Sequence, residues 1–317
     1  MERKEALQAV LSLRKLRGGS QPILVRASDG GFYVVKFLDN PQGPNLLFNE
    51  AVGSELYRQA GLRGPEWQPI YISDEFLDRS PQCWFEMPEG RQRPAAGWAF
   101  ASRYACLSNC TLFEILPARS FDRVQNRGDF WAAWVLDIFC GHTDNRQALF
   151  TEDSQGWLTA HFIDHGHLFG GASGVTRANF RASRYLDGRV YSDRTPQLRS
   201  RIEDAIGRLD LGEVVRRAMQ LPEGWATDSA LENLGRFVER IADRELQQGA
   251  IGFVLDEIGA SGARHEREPE KLERCHGTAS VPAALLQSSA VRGGGQRIDY
   301  PAGGRGGRFG ETLCGSC

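Results

Sequence analysis

The chain of 317 residues contains no apolar run approaching the ~18 residues that a membrane-spanning helix needs. It has no strong charge of either sign. The formal net charge is −2, so nothing predicts bulk attraction to nucleic acid or to an acidic membrane surface. The opening stretch, MERKEALQAVLSLRKLRGG, lacks the h-region and small-residue cleavage site of a secretory signal, and its short apolar patch is interrupted by Arg14 and Lys15. The seven cysteines, an odd number, follow no disulfide-framework spacing, which predicts a reducing, cytoplasmic compartment. What is present is ordinary for a soluble globular protein: 41% hydrophobic and 25% charged residues, in a chain long enough for one two-lobed domain or two domains.

The first third reads as a small antiparallel sheet. Val10–Leu16 is a candidate strand, Arg17-Gly18-Gly19-Ser20 a flexible break, and Ile23–Ala27 a second strand. Asp29-Gly30-Gly31 is a turn signal before a third strand, Phe32–Leu38. Lys36 lies inside that apolar, β-branched run. It is costly to bury there unless an anion pairs with it, and the alternative is an edge-strand lysine whose ammonium stays in water. Residues 45–60 read as a helix ended by Gly61 and carry Glu50 and Glu55. These two lie about 140° apart on a helix, so only one of them can meet Lys36, and the apolar pattern does not choose between them. Either could instead be solvated. A turn and strand follow near 62–73, residues 77–97 read as a loop, and Trp98–Tyr104 alternates like a strand.

The densest cluster of polar chemistry lies in residues 137–166. Asp129 is a candidate N-cap for Phe130–Cys140, a helix apolar on nearly every side, so Asp137 within it requires a buried partner. Asp144 then precedes the run Ala148-Leu149-Phe150. A turn-like stretch leads into Leu158–Ile163, which ends at Asp164. An antiparallel hairpin brings the start of its first strand and the end of its second to one mouth, so the spacing predicts Asp144 and Asp164 side by side. Two such carboxylates suit metal and phosphoryl-transfer chemistry, and they also suit plain turn positions. Beyond them, residues 169–174 are glycine-rich and read as a loop beside the site. Residues 196–219 and 229–248 read as amphipathic helices, the second with Asp228 as N-cap and Gly249 past its end, and 251–259 as a short helix. From 261 onward the chain is rich in glycine and arginine and poor in large apolar groups, which predicts disorder. Its Cys314-Gly315-Ser316-Cys317 is a lone CxxC with no second pair to complete a zinc site.

Together these pieces resemble the HipA-like kinases. The matching stretches are RGGSQPILVRASDGGFYVVKF at 17–37, LFNEAVGSELYRQAGL at 47–62, GHTDNRQALF at 141–150 and FIDHGHLFG at 162–170. No single piece is specific; the ordered set is. The resemblance implies an α+β, two-lobed protein kinase-like fold. A small β-rich N-lobe with one key helix (1–104) would precede a mainly helical C-lobe (105–260) and a disordered tail (261–317). It implies ATP and Mg²⁺ as cofactors. Gly18, Gly19 and Ser20 would approach the ATP phosphates, Lys36 would contact the α- and β-phosphates, and Glu50 would position Lys36, with Glu55 in reserve. Asp144 would be the catalytic-loop aspartate that orients or deprotonates the acceptor hydroxyl, and Asp164 would chelate Mg²⁺. Ser102-Arg103 resembles the segment that leads into the nucleotide-binding crossover. Similar Ile-Asp-x-Gly runs occur in phosphatidylinositol 4-kinases, so the match at Asp164 is to the wider kinase-like group.

One departure stands out. The family pattern places an Asn metal ligand five residues after the catalytic Asp, where this chain has Leu149. Aligning the following strand instead puts Gln147 at that place, in a loop shorter by two residues, with Asn145 as another candidate ligand. His142, His165 and His167 lack the ligand spacing of a zinc site. The reading is an ATP/Mg²⁺-dependent phosphotransferase acting on protein Ser or Thr hydroxyls, with a nucleotide-binding pseudokinase or a small-molecule kinase as alternatives. Ser173 and Thr176 would be autophosphorylation targets. No nucleic-acid or membrane partner is predicted. The toxin role of some HipA proteins is not carried over, because no DNA-binding segment or partner surface is visible in the sequence.

Overall fold

Short β-branched and aromatic runs separated by turn glycines build the N-terminal part. In a computed structural model, which describes residues 6–104, 111–174, 183–192 and 195–261, β1 (Ala9–Lys15), β2 (Ile23–Ala27) and β3 (Phe32–Lys36) form an antiparallel meander. The β2–β3 turn is closed by Asp29, whose Oδ1 accepts the Gly31 N–H at 2.8 Å. Next come α1 (Leu46–Gln59), β4 (Trp67–Ile72), the short α2 (Asp74–Asp78), the hairpin β5 (Phe85–Met87) and β6 (Gly90–Gln92), and β7 (Gly97–Arg103). The sheet order is β1-β2-β3-β7-β4 with antiparallel neighbours, so β7 inserts between β3 and β4. Alternation along β3 sends Tyr33 and Val35 into one core with Val25, Ile70, Phe76 and Ala101, and leaves Lys36 on the opposite face.

The C-terminal part is mainly helical. It contains β8 (Thr111–Phe113), α3 (Asp129–Cys140), β9 (Gln147–Glu152), β10 (Leu158–Ile163), α4 (Leu198–Gly207), α5 (Leu211–Ala218), α6 (Asp228–Ala242) and α7 (Arg244–Ser261). Every residue of α3 is buried, as its all-round apolar sequence predicts. Phe130, Trp131 and Trp134 anchor the core there, each worth roughly 1.5–3 kcal/mol of burial. The helix α1 is sandwiched between two cores. Phe48, Val52 and Leu56 join the α3 core, whereas Leu46, Leu47 and Ala51 pack with Phe100 and Trp225. Burial on both sides is why its apolar residues show no single stripe.

Several boundaries differ from the sequence reading. The 77–97 loop contains the end of α2 and the β5–β6 hairpin. The 196–219 helix breaks into α4 and α5, because Asp210 caps α5 by accepting the Glu213 N–H at 2.9 Å. Gly128, not Asp129, stands at the N-cap of α3, and Thr227, not Asp228, caps α6. Helix α6 stops at Ala242 and α7 runs on through Gly249, because Asp243 accepts the N–H groups of Glu245 and Leu246. The lobe boundary drawn at 104/105 abuts residues 105–110, which lie outside the described residues, as do Thr176 and the tail beyond Ser261. No helix among the described residues is long and apolar enough to cross a membrane.

Candidate active site

The site is assembled where β3, α1 and the β9–β10 hairpin converge. Lys36, at the end of β3, is 7% exposed. Its Nζ donates to Glu50 Oε1 on α1 and, at 2.8 Å, to Asp164 Oδ1 just past β10. Glu50 does more than pair with the lysine. Its Oε1 accepts the Gly166 N–H at 2.9 Å and its Oε2 the His165 N–H at 3.2 Å, so it holds the backbone that carries Asp164. Glu55, the reserve partner, points elsewhere and binds Arg58, Gln59 and Arg217.

Two glycines permit this approach. A Cβ on Gly53 of α1 would lie 2.5 Å from His165 Cβ, and one on Gly166 would lie 2.3 Å from Leu46 Cδ1. Asn49, fully buried on the same helix, points its Nδ2 at the carbonyls of Gly166 (2.9 Å), Leu168 (2.8 Å) and Gly171 (3.3 Å). The glycine-rich segment at 169–174 is therefore tied to α1, with Phe169 and Ala172 buried and Ser173 exposed.

The hairpin pairs without slippage from Glu152↔Leu158 to Gln147↔Ile163. This register brings Gln147 against Asp164: its Nε2 donates to Asp164 Oδ2 at 2.7 Å. Asp144 stands earlier in the turn that follows the left-handed Gly141 cap of α3. The side chain of Asp144 accepts the Asn145 N–H at 2.7 Å, and the bond between the Thr143 N–H and the His167 carbonyl, 3.0 Å, ties this turn to the segment after Asp164. The two aspartates thus belong to adjoining turns, and the hairpin side chain that touches Asp164 is that of Gln147.

The glycine loop connects to the same segment. The Ser20 carbonyl accepts Asn40 Nδ2 at 2.7 Å, and Gly19 packs on Gln42, where a Cβ would lie 2.5 Å from Nε2. Gln42 Nε2 in turn lies 3.1 Å from His167 Nε2. Ser102 and Arg103 are not gathered in. They pair with Val34 and Tyr33 toward the far end of β3, and Arg103 faces Glu66 at 3.8 Å.

Beneath the site lies a network that sequence reasoning signalled only through Asp137's need for a partner. That partner is Arg146, buried beside it, with Nε 2.9 Å from Asp137 Oδ2 and Nη2 2.7 Å from Oδ1. Tyr57 of α1 donates its hydroxyl to Asp137 Oδ1 at 2.7 Å, and the guanidinium lies over the Tyr57 ring. Arg146 Nη1 reaches the Ile163 carbonyl at 2.9 Å. Tyr57 and Arg146 lie within the stretches 47–62 and 141–150, where nothing marks them out, and only the fold shows that they meet.

Electrostatics follow from this geometry. Burial pulls the Lys36 ammonium down, but Asp164 and Glu50 outweigh it and hold the group charged. Burial pushes Asp164 up, yet Lys36 holds it well below the usual carboxylate range. Burial and the neighbouring Asp164 push Glu50 up, against the pull of Lys36. Burial also lowers His165 and His142, beside the Arg146 guanidinium, so both rings are neutral and enclosed. Two carboxylates thus share one ammonium, and of the two Asp164 is the more exposed, with 22% of its side chain accessible against 3% for Glu50. The oxygens at hand are those of Asp164 and of Gln147, whose side-chain amide meets Asp164. Such a set fits a hard cation such as Mg²⁺ that keeps water and phosphate oxygens as its other ligands. His165 is engaged by Arg146 at 3.3 Å and does not offer a soft-metal site.

No protein-family model matches the chain, and no curated protein matches it in sequence. Among solved structures it is similar to the Helicobacter pylori proinflammatory kinase CtkA, at 12% identity and a TM-score of 0.52, over 79% of this chain and 99% of that one. It is also similar to the Golgi casein kinase, at 10% identity and a TM-score of 0.50, over 80% of this chain and 75% of that one. At such identities the likeness is one of fold, and the chain has a two-lobed, protein kinase-like fold.

Proposed function

We propose that the chain is an ATP- and Mg²⁺-dependent phosphotransferase of the HipA-like kind that acts on protein Ser or Thr hydroxyls. The observation that carries this reading is the buried Lys36 held between Glu50 and Asp164. In this reading the Gly18–Ser20 loop offers backbone N–H groups to the phosphates, and Lys36 neutralises their charge. Asp164 would hold Mg²⁺, with Gln147 and Asn145 as further oxygen ligands, and the ion would supply charge neutralisation across the phosphates. Asp144 has lone pairs left after accepting the Asn145 N–H, and these can orient an acceptor hydroxyl and take its proton. Most of the catalytic effect is then positioning and electrostatics.

A second reading, a nucleotide-binding pseudokinase, draws on the short loop: Gln147 replaces the family's Asn and its amide already donates to Asp164. ATP turnover with Mg²⁺ or Mn²⁺ separates the two readings. We expect Asp144→Ala to lower kcat by roughly a hundred- to ten-thousand-fold, the range of a lost general base. Asp164→Ala should abolish turnover together with metal-dependent nucleotide binding. Tight ATP binding by the wild type without turnover supports the pseudokinase, and absence of nucleotide binding rejects both.

A further inference from the structure

Asp164 has a positive φ of +61°, in the left-handed region that a non-glycine residue enters only at a cost. Something must hold it there. Its side chain is gripped by Lys36 and Gln147. Its main chain is held from two sides: Glu50 accepts the His165 and Gly166 N–H groups, which stay protected only while this segment keeps its place, and Arg146 Nη1 donates to the Ile163 carbonyl at 2.9 Å and lies 3.4 Å from the Asp164 carbonyl and 3.3 Å from His165 Nδ1. The other edge of the same guanidinium is forked onto Asp137 in the middle of α3, itself fully buried. The planar ion therefore spans from α3, buried along its whole length, to the turn that aims Asp164.

We infer that Arg146 is a positioning residue for Asp164, clamping the Ile163–His165 backbone to α3 so that the carboxylate faces Lys36 and Gln147. The consequence for catalysis rests on the phosphotransferase reading; the clamp itself does not. The chemistry requires arginine. A guanidinium can bind a carboxylate with one edge and carbonyls with another, whereas the point charge of a lysine cannot do both. The competing account is a buried ion pair that only staples the hairpin to α3. Such pairs can often be replaced by apolar residues of similar volume without loss of stability. The staple account therefore predicts that an apolar replacement leaves the site working, and the clamp account predicts that it does not.

Two variants and two readouts test this. Asp137→Leu/Arg146→Met replaces the pair with apolar volume, and Arg146→Lys keeps the charge that answers Asp137 but not the fork. Tyr57→Phe is the control, since it removes a bond to Asp137 without touching the backbone at 163–165. The first readout is amide hydrogen exchange at His165 and Gly166, which needs no ligand. We expect both Arg146 variants to exchange there faster by about tenfold or more while the α3 amides stay protected, with Tyr57→Phe unchanged at 165–166. The second is the Mg²⁺ concentration that half-supports binding of a non-hydrolysable ATP analogue. It should rise by about ten- to a hundred-fold in the variants, the scale for loss of a group that orients a metal ligand, with metal-free nucleotide binding preserved. Wild-type protection at 165–166 in either folded variant overturns the clamp. Lost protection with an unchanged Mg²⁺ requirement overturns its role in the reaction. A wild type that binds no nucleotide overturns the phosphotransferase reading and leaves the exchange result to decide the clamp.

Discussion

Lys36 shows how one residue acquires meaning only from its neighbours. Inside the strand FYVVK it posed a cost, and the structure answers that cost with two carboxylates from elements far apart in the chain. The neighbouring histidines carry a pH dependence. His142 and His165 are buried with their pKa values lowered, chiefly by burial, so the folded state refuses protons that the unfolded chain binds below about 6.5. Since the unfolded state binds more protons in that range, stability falls as pH drops through the ordinary imidazole value. We expect stability to fall as pH drops below about 6.5, each histidine kept neutral steepening the fall. Thermal melts from pH 7.5 to 5.5 check this. His142→Phe should flatten the slope, because it removes the titrating ring at the cost of one long contact, Nδ1 to Asp137 Oδ2 at 3.5 Å. An unchanged slope would remove His142 from the account.

Helix α1 is the element on which the site depends most. One helix supplies Asn49 and Glu50 to the Asp164 segment, and Gly53 lets the two backbones approach. This reverses an ordinary rule. Gly→Ala in a helix interior gains roughly 0.5–1 kcal/mol, but at Gly53 the new methyl meets His165 Cβ at 2.5 Å and Leu168 Cδ1 at 2.6 Å. We therefore expect Gly53→Ala to destabilise by about 1–3 kcal/mol, the cost of overpacking, as read by urea unfolding. It should also lower nucleotide affinity by displacing Asp164. Gly249, exposed to no such contact within α7, is the comparison: alanine there should be neutral or stabilising. The helix was legible as a helix, but its role was legible only through the resemblance, not through its own pattern. Burial on two faces erased the stripe that would have singled out Glu50 over Glu55.

At the level of the whole molecule, the sheet-rich and helical parts are joined by more than the chain between them. Trp225, in the loop between α5 and α6, is fully buried among Leu46, Leu47, Phe100 and Ala172, and its indole N–H reaches the Trp98 carbonyl of β7 at 3.3 Å. Nearby, Asn45 at the start of α1 bonds to Thr227 and Ser229 at the start of α6. Together these contacts fix α1, and with it Glu50, against the helical part. We expect Trp225→Ala to cost about 3–5 kcal/mol, the range for emptying a buried aromatic site. KM for ATP should rise more than kcat falls, because the lysine side of the site is loosened while Asp144 stays on its own turn. Denaturation and steady-state kinetics measure both, and a purely local cavity would leave KM unchanged.

The sequence alone determined the strands around Lys36, the buried helix α3 and the β9–β10 hairpin, because each rests on local periodicity, turn glycines and short-range pairing. Read as an ordered set of motifs, it also pointed to the two-lobed kinase-like fold. Hairpin geometry predicted Asp144 and Asp164 side by side; in the structure their turns are joined by the Thr143 N–H and the His167 carbonyl, and Gln147 is the hairpin residue at Asp164. Periodicity left Glu50 and Glu55 open and the resemblance named Glu50, whose contact with Lys36 the structure shows; the tertiary structure alone decided that Gln147 touches Asp164 and that Ser102 and Arg103 stand apart. The partner of Asp137 was decided there as well: Arg146 is close in sequence, but it meets Asp137 only after α3, α1 and the hairpin have packed. These are contacts between elements. Their partners are set by which faces are buried together and by how closely two backbones can approach, and no single segment of the chain records either.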